Sequence, residues 1–428
     1  MSMINRTASF ARLLLDARRS QSQLDATISA RLKKVLVAAT SVPHYRDQMR
    51  SAGYDPRQDF TGPKDLEVLA ITLKTDIKSS PESFVQKEES GRLQRYFSDR
   101  TSGSTGMPLT VYRSPNERAV QMAKWLRVLV ASGYRPTDKV LSFTSPGRLA
   151  EGRSILQHFG LLRRQAVDYT LSPESLANSL LQYQPDAVYG VRTSLLMVAE
   201  ELERRGISAP PIKLLLAGGE VIDAQTRRRC RQAFGTDVTE TYGTVEMGVM
   251  AYQMRGQSGL SLIEDCTLFE FLDEQGNPAM PGQLARIVVT DLHGGLMPFI
   301  RYDQGDLVTY SLRQNTRGET VRVIDRIIGR QDDAAPLPDG RFLTYLDFYE
   351  IMDIYPGVER FRIRQHAPDS FSIELVASQD YYHTIQEELL TKLQDLSLFF
   401  LRFNLRLVER IEPDPGGKMR ILVSEVTK

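Results

Sequence analysis

From about residue 139 onward, short apolar runs alternate with longer stretches of helical periodicity. VLSF at 140–143, AVYG at 187–190 and LLLA at 214–217 are each followed by a polar or charged helical stretch. That alternation is the pattern of β-α units in a mostly parallel sheet. After Gly259 the texture changes. LSLIEDCTLFEFLDEQGNPAMPGQLARIVVTDL carries strand-like runs around a Gly276-Asn277-Pro278 turn and leaves no room for crossover helices, which predicts antiparallel β-structure.

The last hundred residues read as a small α+β unit. They predict a strand at 341–345, a helix at 346–354, strands at 358–364 and 370–376, a helix at 381–398 and a strand at 404–411. The acidic, proline-containing segment QDDAAPLPDG at 331–340 is the best linker candidate. Residues 7–50 carry apolar positions at helical spacing (Phe10, Leu13, Leu14, then Leu32, Val35, Leu36) and end at Pro43, so a helical N-terminal cap is expected. The fold class expected is therefore α/β: a large N-terminal domain with mostly parallel sheets and an antiparallel β segment, plus a small C-terminal α+β domain. The boundaries expected are 1–328 with the helical cap at 1–50, a hinge at 329–332, and a mobile domain at 333–428.

Composition narrows the function classes. The 428 residues carry 54 Lys and Arg against 53 Asp and Glu, a formal charge of +1, which offers no broad attraction to nucleic acid or anionic lipid. No apolar run approaches the length needed to span a bilayer, about 18 residues. The two cysteines, Cys230 and Cys266, and five histidines lack metal-site spacing, so neither a disulfide framework nor a zinc site is expected. Cys230 lies in RRRCRQ, where neighbouring cations could activate a thiol, but the structural reading is preferred. The N-terminal text MSMINRTASFARLLLDARRS is Arg- and Ser-rich like a transit peptide, yet it reads better as a first amphipathic helix, and a cytoplasmic location is expected.

Five segments bear on chemistry. Thr101-Ser102-Gly103-Ser104-Thr105-Gly106 is a run of small hydroxyl and glycine residues able to wrap backbone N–H groups around phosphate oxygens, though it is not a Walker loop and such runs are more often surface turns. LLLAGGEVID and VTETYGTVEMG place Gly218, Gly219 and Glu220, then Glu240, Thr241, Tyr242, Gly243, Thr244 and Glu246, after neighbouring strands, where α/β sheets bind ligands. Tyr242 can offer a flat face to a base, and Glu246 a carboxylate to Mg²⁺. Asp306, in RYDQGD, can accept both hydroxyls of a ribose, and Arg330, in IIGRQDD, can bind phosphate or sugar oxygens in a fork. Pro413 to Arg420 is a glycine turn presenting Lys418.

In order and spacing, TSGSTG, GGE, YGTVE, RYDQGD, GRQDD and GGK resemble the motifs of the adenylate-forming superfamily of acyl-CoA synthetases, adenylation domains and luciferases. SVPHYRDQM, LKTDIKSS and LMPFIRYDQGD resemble most the phenylacetate-CoA ligase branch, including its shorter capsule-biosynthesis-type relatives. The resemblance implies that Thr101 to Gly106 cradle the ATP phosphates, that Gly219, Glu220 and the stretch from Glu240 through Thr241 and Tyr242 to Thr244 line the adenine pocket, and that Asp306 and Arg330 hold the ribose and α-phosphate region. It implies further that Glu246 holds Mg²⁺, that Asp332 is the hinge, and that Lys418 is the mobile lysine at the substrate carboxylate and α-phosphate. A carboxylate attacking an anionic phosphorus needs its repulsion cancelled, and Mg²⁺ with one lysine do so.

The chain departs from the family pattern at Met107 and Leu109, where a loop lysine is usual, at Val245, where a hydroxyl precedes the glutamate, and in APLPDGRF after the hinge. The implied activity is ATP-dependent activation of a small aryl or acyl carboxylate as acyl-AMP, with transfer to coenzyme A; a homodimer is compatible with the sequence. Two alternatives stay open: transfer of the acyl group to an amine or hydroxyl, or of AMP itself, and a catalytically silent nucleotide-binding relative. Segments 142–148 and 189–194 are the expected walls of the acid pocket. Arg148 or Arg192 could pair with a second acidic group there, but ordinary surface arginines are the preferred reading.

Overall fold

The protein is described by a computed structural model covering residues 20–101, 108–145, 155–330, 334–339, 341–397, 400–412 and 420–426. The expected readings of Ser102 to Gly106, Arg148, Asp332 and Lys418 therefore lie outside the described residues.

The chain opens with α1 (Gln21–Ala39) and α2 (Pro43–Ser51), followed by α3 (Lys74–Ser79), the hairpin strands β1 (Phe97–Arg100) and β2 (Thr110–Arg113), and α4 (Pro115–Ala131). Then come β3 (Val140–Thr144), α5 (Ile155–His158), β4 (Arg164–Asp168), α6 (Pro173–Tyr183), β5 (Ala187–Gly190), α7 (Arg192–Arg205), β6 (Leu214–Gly218), α8 (Ala224–Phe234) and β7 (Val238–Thr244). Capping fixes several starts. Ser114 and Glu117 exchange side-chain and backbone bonds ahead of α4, with Pro115 at its first position, and Asp223 accepts Thr226 N–H at 2.6 Å to begin α8.

Strands β4-β3-β5-β6-β7 lie parallel in that order. Both faces are buried: Leu215 and Ala217 pack on α6–α8, while Leu214 and Leu216 pack in the cluster containing Ala123, Val128 and Leu129 of α4. Double burial explains why these strands read as unbroken apolar runs.

The antiparallel segment continues the same sheet. After β7 come β8 (Gly248–Tyr252), β9 (Leu260–Leu262), β10 (Thr267–Leu272), β11 (Leu284–Asp291), β12 (Tyr302–Gln314) and β13 (Thr320–Arg330). They extend the sheet to eleven described strands through β8-β9-β13-β12-β11-β10, all antiparallel. Periodicity announced both halves but not their fusion, which depends on β7 accepting a hairpin partner. The described part of the expected N-terminal cap is likewise part of this half: Leu32, Val35, Leu36 and Tyr45 share one core with Phe269, Phe271, Ile287 and Val289, while Phe10, Leu13 and Leu14 lie outside the described residues.

The C-terminal part has its own four-stranded sheet in the order β18-β17-β16-β19, made of β16 (Arg360–Ala367), β17 (Ser370–Val376), β18 (Arg402–Leu407) and β19 (Leu422–Ser424). Before it come β14 (Ala335–Pro336), β15 (Phe342–Leu343) and α9 (Tyr345–Met352), and α10 (Gln379–Gln394) lies within it. Several expected boundaries shift. The strand expected at 341–345 is only two residues long, because Thr344 and Asp347 form a capping box that starts α9 at Tyr345. Ser378 starts α10 early by accepting Tyr381 N–H at 3.3 Å, and the helix stops at Gln394 rather than 398. The strand expected at 404–411 runs Arg402–Leu407, and the one expected at 358–364 runs Arg360–Ala367. Part of the expected linker is core: Ala335 and Leu337 are buried with Phe348, Ile363 and Ile373. Gly329 and Arg330, expected in the hinge, belong to β13. Among the described residues, no helix is long and apolar enough to cross a membrane.

Candidate active site

The carboxyl ends of β5, β6 and β7 sit side by side, and the motif residues of the sequence leave the sheet there. At the end of β6 the chain has no room for a side chain. A Cβ on Gly218 would collide with Thr241 Oγ1 and lie 2.8 Å from its carbonyl, and Gly219 follows in the left-handed region with φ +78°. Thr241 Oγ1 donates to Ala217 O at 3.1 Å and so locks the ends of β6 and β7 together.

Two buried carboxylates dominate the next stretch. Tyr242 O–H donates to Asp306 Oδ2 at 2.7 Å, bringing together residues from β7 and β12. Arg330 Nε approaches Asp306 Oδ1 at 3.7 Å from the facing position on β13. Glu246 lies in the turn after β7, where Thr244 Oγ1 accepts Met247 N–H at 3.2 Å. Its Oε1 receives Lys74 Nζ at 3.2 Å and Tyr302 O–H at 3.0 Å. The Glu246 backbone is held from the other side: Arg113 of β2 donates to Glu246 O at 2.9 Å and to Val245 O, while its other nitrogen pairs with Asp99 at 2.7 Å.

The two environments act in opposite directions. Burial raises the Asp306 carboxyl above its ordinary value, against partial opposition from Arg330 and Tyr242. Burial would raise Glu246 too, but Lys74, its own backbone N–H and Tyr302 prevail and hold it below the ordinary glutamate range. Burial and Asp306 likewise push the Tyr242 phenol well up, so it stays a hydrogen-bond donor.

The other expected residues are placed as follows. Thr101 closes the base of the Ser/Gly loop, since its N–H donates to Leu109 O at 3.0 Å and its Oγ1 accepts Leu109 N–H at 2.9 Å. Glu220 turns to the start of α7 and accepts both N–H and O–H of Thr193 at 2.8 Å. Glu240 pairs with Arg227 at 2.8 Å. Gly243 sits in the β7–β8 pairing, opposite Val249. Arg192 corrects the surface reading: it is buried, paired with Asp223 at 2.8 Å and bonded to Thr226 Oγ1 at 2.8 Å. Cys230 is buried and its thiol is pushed up to about 12 by that burial, while Arg227, Arg228, Arg229 and Arg231 pair with Glu240, Asp353, Glu200 and Asp237. The activated-thiol alternative is thereby removed.

Lys74, Tyr302 and Arg113 were not singled out in the sequence. The first two lie inside LKTDIKSS and RYDQGD, but Arg113 has no motif around it.

Comparison with known proteins follows the same lines. The sequence profile described as AMP-binding enzyme matches residues 17–306. The chain belongs to the AMP-binding enzyme family. Within this adenylate-forming family it is phenylacetate-CoA ligase-like. The phenylacetate-coenzyme A ligase of Pseudomonas putida is 30% identical over 308 residues, covering 69% of this chain and 68% of that protein. That of Thermus thermophilus is 27% identical over 393 residues, covering 87% and 85%. Among solved structures, 2-hydroxyisobutyryl-CoA ligase in the postadenylation state with R3-HIB-AMP matches with a TM-score of 0.78 at 20% identity, over 95% of this chain and 90% of that one. The same ligase in the thioesterification state, with 2-HIB-AMP and CoA, matches at 0.62 with the same coverage. These likenesses establish the mixed α/β fold of adenylate-forming enzymes.

Proposed function

We propose that this AMP-binding family member is an ATP-dependent acid–CoA ligase acting on a small aryl or acyl carboxylate. A carboxylate oxygen attacks the α-phosphorus of ATP, pyrophosphate leaves, and the acyl-AMP so formed passes its acyl group to the thiol of coenzyme A with release of AMP. The observation that carries this reading is the convergence of Tyr242, Asp306, Arg330 and Glu246 at the carboxyl edge of the sheet, with the Thr101–Leu109 clamp on the phosphate-loop base. ATP and coenzyme A are the co-substrates, and a cytoplasmic location follows from that chemistry.

Asp306 accepts the ribose hydroxyls and Arg330 reaches the sugar or α-phosphate oxygens. Lys418, from the C-terminal part, supplies the cation where charge develops on the α-phosphate. Glu246 fits as a carboxylate for Mg²⁺, because both side-chain donors reach Oε1 and the site is ionised by its surroundings. Mg²⁺ commonly keeps several waters and binds through one or two carboxylates together with substrate phosphates. When bound, Mg²⁺ neutralises and orients the triphosphate.

The acid lies against Tyr189, whose ring meets Trp125 edge-on at 4.7 Å and whose hydroxyl would lie 3.5 Å from a Cβ placed on Gly218. The polar side chains of the same wall are engaged internally: Arg192 with Asp223, Thr193 with Glu220, Ser194 with Val191 O. Among the described residues of that wall these side chains already hold internal partners, and Arg148, the other candidate for a second acidic group, lies outside the described residues. Pyrophosphate release across aryl, short-chain and dicarboxylic acids, with and without coenzyme A, tests the proposal. Acid-dependent release with thioester formation is expected, and no release with any acid would overturn it.

A further inference from the structure

The triphosphate of ATP brings several negative charges to a loop, TSGSTGMPL at 101–109, that has no cationic side chain of its own. The cations near Glu246 are differently engaged. Arg113 is spent on Asp99 and two carbonyls, and Lys124 is buried against Met247 O at 2.9 Å. Arg330 is more exposed but faces Asp306, the carboxylate assigned above to the ribose. Lys74 is about a quarter exposed and is the side-chain cation on Glu246 itself: of its three N–H bonds one goes to that carboxylate at 3.2 Å.

Its placement is fixed from below. Thr72 is buried and bridges to Tyr302 as a one-residue parallel pair, with Thr72 N–H donating to Arg301 O and Asp303 N–H to Thr72 O, each at 2.9 Å. Thr72 Oγ1 donates to Ile300 O at 3.0 Å, and Ile77, one turn on in α3, is buried. Lys74 thus leaves a rigid junction between α3 and β12, beside the carboxylate whose backbone is gripped by Arg113 of the loop's return strand.

We propose that Lys74 is the phosphate-binding cation of this chain, donating to the β- and γ-phosphates of ATP and to the departing pyrophosphate from beside Glu246. This rests on the adenylation reading. A lysine on this junction acts as a point charge that contacts phosphate without distorting the loop, and its pairing with Glu246 keeps it in place before nucleotide arrives.

The test is calorimetric titration of Lys74→Met, Lys74→Arg and wild type with AMP, Mg-ATP and inorganic pyrophosphate. Arg100→Gln serves as a comparator, because Arg100 is an exposed cation directly before the loop. In Lys74→Met the Kd for Mg-ATP and for pyrophosphate should rise about tenfold or more, the loss expected when a charged hydrogen-bond partner is removed. AMP affinity should stay within about twofold, and Lys74→Arg should recover most of the loss. Equal losses for AMP and Mg-ATP, no loss for either, or the loss appearing in Arg100→Gln instead would overturn the assignment of Lys74 alone. Wild-type protein that binds neither AMP nor Mg-ATP would overturn the adenylation reading itself.

Discussion

Tyr345 O–H donates to Asp223 Oδ2 at 2.9 Å, and the same carboxylate oxygen pairs with Arg192 at 2.8 Å. Asp223 therefore joins the first residue of α9 to the start of α7, next to the turn that Glu220 ties down. Gln225 N–H, bonded to Tyr349 O–H at 3.0 Å, and Arg228, paired with Asp353 at 2.8 Å, extend the junction. A buried carboxylate with three partners holds the C-terminal part against the parallel half of the sheet.

Removing only the Tyr345 hydroxyl tests that junction. Tyr345→Phe should fold and lose about 1.5–3 kcal/mol, the range for a hydrogen bond to a charged group. Asp223→Asn should cost more, about 3–5 kcal/mol, because it leaves the buried Arg192 without its counter-charge and weakens the start of α8. Denaturant midpoints at constant slope measure both. A Tyr345→Phe loss equal to or larger than that of Asp223→Asn would refute the ranking.

At the end of β6 the expectation is steric. Gly218→Ala should destabilise by about 1–3 kcal/mol, since its Cβ would fall 2.8 Å from the Thr241 carbonyl, a backbone atom that cannot swing aside. It should also lower AMP affinity, because relief of the clash must separate the ends of β6 and β7. Thermal unfolding together with AMP titration checks this; an unaltered melting temperature would show that the two strand ends are looser than the Thr241–Ala217 bond implies.

Most of the fold was legible because doubly buried strands such as Leu214–Gly218 and sided ones such as Thr267–Leu272 leave different apolar patterns. The fusion of the two halves was not, since the β7–β8 pairing depends on backbone bonds and leaves no periodic mark. In the site, the glycine turns and acidic motif residues of the sequence gather at the carboxyl ends of β6 and β7. What each carboxylate touches was hidden: sequence does not show that Glu220 accepts from Thr193 or that Glu240 pairs with Arg227. Lys74 and Arg113 were hidden for the converse reason, because an isolated cation acquires meaning only when Glu246, far along the chain, is folded onto it.

Lys418 lies outside the described residues, and its role is a proposal from the GGK turn. Lys418→Ala should leave the fold intact and slow acyl-adenylate formation by about 10² or more, the scale for loss of one charge partner in the transition state. Acid-dependent pyrophosphate release is the measurement. An unchanged rate would remove Lys418 from the mechanism.

The two central carboxylates give pH dependences of opposite sign. Burial raises Asp306, with Arg330 and Tyr242 opposing, so the folded protein holds that proton more tightly than the unfolded chain. Its contribution to stability is fully present below the ordinary aspartate range and is lost as pH rises through the raised value. In Glu246, burial is outweighed by Lys74, the backbone N–H and Tyr302, so its contribution is present above the ordinary glutamate range and is lost as pH falls through the lowered value. Accepting ribose hydroxyls favours ionised Asp306. AMP affinity should therefore decline on acidification while pH is still above the ordinary aspartate range, where Glu246 remains ionised. Asp306→Asn should bind AMP more weakly at neutral pH and lose this acid limb, whereas Glu246→Gln should weaken Mg-ATP binding and keep the limb for AMP. Calorimetric AMP titrations from neutral to mildly acidic pH decide the matter: an acid limb that persists in Asp306→Asn would move ribose recognition to another group.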